Sequence, residues 1–168
     1  MLAVNPLPGQ NNSGKLVNVQ SAKFVLLFNC SSTDELEVIS KLLNNTKVSN
    51  FNINSVGIFF CNAVADAVNF DNKITIINQN DFTVFGSEKK NLSNWISSSK
   101  CNILLSFADG DNIYCNRITS SIDADFKAGK YSKINADLYD LTLVFKTKDY
   151  LKQFDNFIHY ITNLNINT

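Results

Sequence analysis

Ser31 and Ser32 are the residues best placed to meet a ligand, because they follow the apolar run Lys23–Asn29 and open a helical pattern. Main-chain N–H groups at a helix start can hold an anion, and two hydroxyls beside them add donors. The same serines also fit a helix cap. Ser32 with Glu35 spells the capping box, in which the hydroxyl takes a main-chain N–H and the carboxylate returns to the cap's own N–H. Asp109 and Asp111, in Phe107-Ala108-Asp109-Gly110-Asp111, are the second candidate ligand-binding pair. Two carboxylates without a third acidic neighbour make a weak metal loop, and capping of the next helix is the simpler account. No metal site and no cofactor are expected.

Cys30, Cys61, Cys101 and Cys115 stand singly, with no C-x-x-C spacing, so a structural zinc site lacks its local ligand pairs. Buried free thiols are the plainer expectation, although Cys30 and Cys61 close neighbouring strands and could approach each other. His159, the single histidine, falls off the apolar stripe of the last helical pattern. A catalytic histidine has to face a pocket, so Ser-His and Cys-His mechanisms are not supported. The chain also lacks G-x-G-x-x-G, a P-loop, a G-x-S-x-G elbow and H-E-x-x-H. No catalytic residue is assigned, and the balance leans away from an enzyme.

The elements that would hold these residues alternate. The continuous apolar run Lys23–Asn29 reads as a strand covered on both faces, Asn52–Cys61 as a strand that begins in alternation and finishes as a buried run, and Lys73–Asn78 and Lys100–Phe107 as further strands. Two more strands are expected near 124–129 and 139–145, and Asp81–Phe85 as a short extended piece stopped by Gly86. Helical patterns fall between them: from Ser32 until Asn44-Asn45 ends it near Lys47, Asn91–Ser98, and about 112–121 with Ile113, Tyr114 and Ile118 buried. Residues 62–72 suggest a helical turn or two. A closing helix from about Lys148 to Asn163 has Thr147 as cap and Leu151, Phe154, Ile158 and Ile161 on one stripe. This order predicts a three-layer α/β fold: an open, mostly parallel sheet of about 5–6 strands, Rossmann-like but without the dinucleotide fingerprint. Residues 1–20, with both prolines, read as an irregular arm, and 21–165 as one domain.

The 168 residues carry fifteen basic and fifteen acidic side chains, so no whole-chain field favours nucleic acid or an anionic membrane. Nucleic acid stays open only through a local basic face of Lys127, Lys130, Lys133 and Tyr131 with Lys89 and Lys90. The first ten residues have no basic region, and no apolar stretch is long enough to span a bilayer, so a soluble, cytoplasmic protein is expected.

Three segments carry a family likeness: Lys23–Asn29 with Ser32–Glu35, then Phe126-Lys127-Ala128-Gly129-Lys130-Tyr131, then Asp137-Leu138-Tyr139-Asp140-Leu141. Together they resemble a family of small bacterial α/β proteins known only as a domain of unknown function, over about residues 15–165. The resemblance implies the fold and a cytoplasmic setting, and no chemistry.

Two functions follow as expectations. The first is a non-catalytic module binding a protein or ribonucleoprotein partner through Gly129, Lys130, Tyr131, Lys133 and Asp137. The alternative is a small enzyme or ligand-binding domain for a nucleotide, sugar nucleotide or other phosphate-bearing ligand at the strand carboxyl ends. Homodimerisation through an edge strand or the last helix is a further possibility.

Overall fold

The sheet is built on β1 (Lys23–Cys30), whose six residues Phe24–Phe28 and Cys30 are buried with only Asn29 partly open near the end. Such a strand has no polar face, so it must lie inside a sheet covered twice. It pairs in parallel with β2 (Asn52–Phe60) on one side and β4 (Cys101–Ser106) on the other. β3 (Ile74–Ile77) adds outside β2, while β5 (Ala124–Lys130) and β6 (Leu141–Leu143) extend the other half. The order is β3-β2-β1-β4-β5-β6, all parallel. This computed structural model describes residues 18–61 and 73–166. Of the irregular arm expected over residues 1–20, residues 1–17 lie outside the described residues, as do the turns expected within 62–72.

Helices α1 (Thr33–Leu43) and α5 (Tyr150–Ile166) cover one face. Leu36, Ile39 and Leu42 recur at helical spacing and meet Phe154, Phe157 and Ile161 over Phe24, Leu26 and Phe28. Helices α3 (Lys90–Ser98) and α4 (Ile113–Ser121) cover the other, burying Leu92, Ile96, Cys115 and Ile118 against Val25, Leu27 and Leu104. α1 ends at its C-cap Asn44, where the Asn44-Asn45 pair is expected to stop it, and Asn45 caps a separate single turn, α2 (Thr46–Ser49). Val19 and Ala22, just ahead of β1, are already part of the core.

Several boundaries differ from the sequence reading, each for a local reason. Ile113 is 68% exposed, because α4 turns Cys115, Ile118 and Thr119 inward instead. Asn112, not an aspartate, caps α4 by accepting from Cys115 N. The Thr147 hydroxyl accepts Asp149 N–H, while Asp149 Oδ1 takes the N–H groups of Leu151 and Lys152 and so caps α5. Of Asp81–Phe85 only Phe82 is extended, in an antiparallel bridge to Glu88: a 3-10 turn at Gln79–Asp81 precedes it and a closed turn, Thr83–Ser87, follows.

Candidate functional site

In a doubly wound sheet the chain leaves β1 and β4 on opposite sides, and the crevice beyond their carboxyl ends is where ligands bind. The strand order here puts that switch point between Asn29–Ser31 and Phe107–Asp109. Two aromatic rings fill much of its floor. Phe28 and Phe107 stack with centroids 4.7 Å apart and planes at 8°, and Tyr150 meets Phe28 edge-on at 5.3 Å. What remains open is a cleft of about 280 Å³ bordered by Asn29, Glu35, Asp109, Lys130, Lys148 and Gln153.

Of the sequence-derived candidates, Ser31, Asp109 and Lys130 come together here. Asn29 holds Asp109 from both ends: its Oδ1 accepts Asp109 N–H at 3.0 Å and its Nδ2 donates to Asp109 Oδ2 at 3.4 Å. Lys130 Nζ donates to Asp109 Oδ1 at 3.3 Å and lies 5.8 Å from the Tyr150 ring centroid. Asp109 is therefore a positioned counter-ion and not a helix cap.

The helix start itself is taken. Glu35 Oε2 accepts Ser31 N–H at 2.6 Å and Ser31 Oγ–H at 3.0 Å, while Ser32 Oγ accepts Glu35 N–H at 3.3 Å. The Ser32 half of the capping box forms as expected. The returning carboxylate is centred one residue earlier than the motif predicts, on Ser31. The Ser31 N–H bond is the first cause holding the Glu35 carboxyl below its usual pKa, ahead of burial, which opposes it. An incoming phosphate would meet a carboxylate where the fold normally offers bare N–H groups.

Thiol and imidazole chemistry fare no better. Burial pushes Cys30 up to about 11 and Cys101 up to about 12, and raises Cys115 further. Cys61 is exposed but also raised, by residual burial and then by Glu35 and Asp109. Cys61 N–H donates to Cys30 O at 2.9 Å, so the two residues adjoin through backbone while both thiols stay free. His159 is exposed on α5 and shares a 3.0 Å hydrogen bond with Asn163. Among the described residues no His, Cys, Asp or Glu cluster is suited to a metal.

The stretch Gly129–Asp137 divides. Gly129 is buried, and a Cβ there would lie 2.4 Å from the Tyr139 ring, so it is a packing residue and not a contact for a partner. Lys130 belongs to the cleft. Tyr131 and Lys133 are exposed, as are Asp137 and the apolar Ile134 and Val144 beside the edge strand β6. Asp111 is exposed and takes no part in the cleft lining. The basic face does not assemble: Lys127 Nζ turns to Thr119 O at 2.7 Å and Lys130 to Asp109.

A feature the sequence did not flag lies beyond β3. Val84 and Phe85 are 99% and 96% exposed at the tip of the Thr83–Ser87 turn. The turn is closed by Thr83 N–H to Ser87 O at 2.8 Å and Gly86 N–H to Thr83 O at 2.9 Å, with Gly86 at φ 78°. Its base is fixed by buried Phe82 and by Glu88, which Arg117 and Ser121 both bind from α4.

The model of a family of unknown function, DUF6913, matches residues 7–164. The chain belongs to that family. No curated protein and no solved structure matches it. The DUF6913 match spans the whole sheet and both helical layers, so the cleft and the Val84–Phe85 turn both lie inside the family domain. In this DUF6913 chain no described helix is long and apolar enough to cross a membrane.

Proposed function

We propose that the chain is a non-catalytic α/β interaction module that docks a protein or ribonucleoprotein partner. The observation that carries this reading is the Val84–Phe85 pair, 99% and 96% exposed on a hydrogen-bonded turn. Two large apolar side chains held in water in a fixed geometry match what binding hot spots need, since little conformational freedom is lost on docking. Burying both on a partner is worth about 1.5–3 kcal/mol each, enough to anchor a modest complex. Tyr131, Ile134 and Val144 give the module a second apolar surface at the opposite edge of the sheet.

The nucleotide alternative has less behind it. Glu35 occupies the α1 start, the Phe28–Phe107 stack takes up the crevice floor, and raised thiol pKa values leave no ready nucleophile. A reducing, cytoplasmic setting is part of the proposal, because all four cysteines are free.

The test is affinity capture with the full chain and with Val84→Ser/Phe85→Ser, followed by titration of the captured partner in purified form. The double variant should keep its melting temperature and weaken the partner at least about tenfold, the loss of one buried anchor. Equal affinity for both proteins would refute the reading, as would turnover of a nucleotide sugar by the pure protein.

A further inference from the structure

Val84 and Phe85 crown a minimal hairpin, and the residues below them give it a sign of charge. Its arms run antiparallel: Lys89 N–H donates to Asp81 O at 2.8 Å, Phe82 bridges Glu88, and Thr83 N–H donates to Ser87 O at 2.8 Å. Phe82 turns inward onto the rings of Phe59 and Tyr114. The tip residues do the opposite. At 99% and 96% exposed they project clear of their own fold.

Between Asn78 and Leu92 the acids are Asp81 and Glu88, and both are used internally. Asp81 Oδ2 accepts Asn78 N–H at 2.8 Å, while Glu88 takes Arg117 Nε–H at 2.8 Å and Ser121 Oγ–H at 2.7 Å. Lys89 and Lys90 are left over. Both are exposed, and neither has an ion pair among the described residues. They open α3, whose start no side chain caps, and a helix start favours acids over cations. The fold gains nothing from two lysines at that position. The apolar tip is thus set beside uncompensated positive charge, although the whole chain is neutral.

We propose that the partner of the Val84–Phe85 turn is a protein with an apolar recess rimmed by Asp and Glu side chains, the recess taking both tip residues and the rim pairing with Lys89 and Lys90. A projecting tip fits a recess, because buried anchors bind in enclosed, desolvated pockets and a flat surface cannot enclose them. The charge complement steers the encounter and fixes its orientation more than it adds affinity. RNA would supply phosphates for the lysines, but Val84 has no ring face for a base to stack on. The inference rests on the interaction reading and names the chemistry of its partner.

The experiment places a photoreactive phenylalanine analogue at position 85 of the full chain, in cells of the native host, and compares crosslink yield with and without Lys89→Glu/Lys90→Glu. Lys41→Glu/Lys146→Glu, the same charge change at exposed sites elsewhere, is the control. Reversal at 89 and 90 should cut the yield by about tenfold or more, since like charges then face each other, and the control should leave it unchanged. The purified 89/90 variant should melt no lower than the parent, because acids suit the α3 start, whereas a structural defect would lower both readings. Undiminished crosslinking by Lys89→Glu/Lys90→Glu would overturn the acidic rim and leave the interaction reading standing. A nuclease-sensitive product would overturn the protein partner in favour of RNA. No crosslink from position 85 in the parent would overturn both readings together.

Discussion

Glu35 Oε2 lies 2.6 Å from Ser31 N, so the chain's own carboxylate occupies the helix start at the sheet's switch point. In phosphate-binding α/β folds that position is kept open by glycine, and the ligand supplies the negative charge. Here the negative charge is built in. Its effect on α1 is that of any carboxylate in a first turn, satisfying a free donor and complementing the helix dipole.

The Glu35 contact makes acid stability depend on one side chain. Its folded pKa is depressed, so its contribution is full above the ordinary value of 4.5 and is lost as pH falls through the lower folded value. Urea midpoints of the parent and Glu35→Gln, measured from neutral pH downward, should differ most at neutral pH and converge in acid. A gap that widened on acidification would reverse the assigned sign.

Gly129 is required by Tyr139. A methyl group there would sit 2.4 Å from the ring that packs over it, and the ring cannot retreat without uncovering a 4%-exposed side chain. Gly129→Ala should destabilise by about 1–3 kcal/mol, the usual cost of overpacking. Adding Tyr139→Leu should recover part of that loss in a double-mutant cycle. Strictly additive effects would remove Tyr139 as the cause.

Thiol reactivity should single out one cysteine. Cys61 is exposed, whereas Cys30, Cys101 and Cys115 are buried with thiols raised by burial. A thiol reagent at pH 8 should label Cys61 alone in the folded protein, read by peptide mass, and slowly, because its own pKa is raised. Fast labelling of Cys30 would mean that the β1–α1 turn opens.

Much of the architecture was legible because the strands announce themselves. Phe24–Phe28 is apolar without alternation, and that pattern has one common home, a strand between two helical layers. Ser32 and Asp34–Glu35 likewise marked the start of α1 within a residue. What stayed hidden depends on contacts far apart in sequence. Val84 and Phe85 looked like a piece of strand; only the Thr83–Ser87 closure and the Glu88–Arg117 anchor lift them into solvent. Gln153 carries no signal in the sequence, and its amide is held inside by the Thr147 carbonyl. Asp140 shows the intermediate case. Its place in the Asp137–Leu141 signature is plain in the sequence, but not its pairing, in which Oδ2 accepts Lys127 N–H and its own N–H donates to Lys127 O, both at 2.8 Å.

Site-specific photocrosslinking tests the interaction role most directly, with the photoreactive residue placed at Phe85 and, as control, at exposed Lys41. In cells of the native host, position 85 should give one discrete crosslinked species that position 41 does not. No discrete product at 85, or the same products from both positions, would contradict the account.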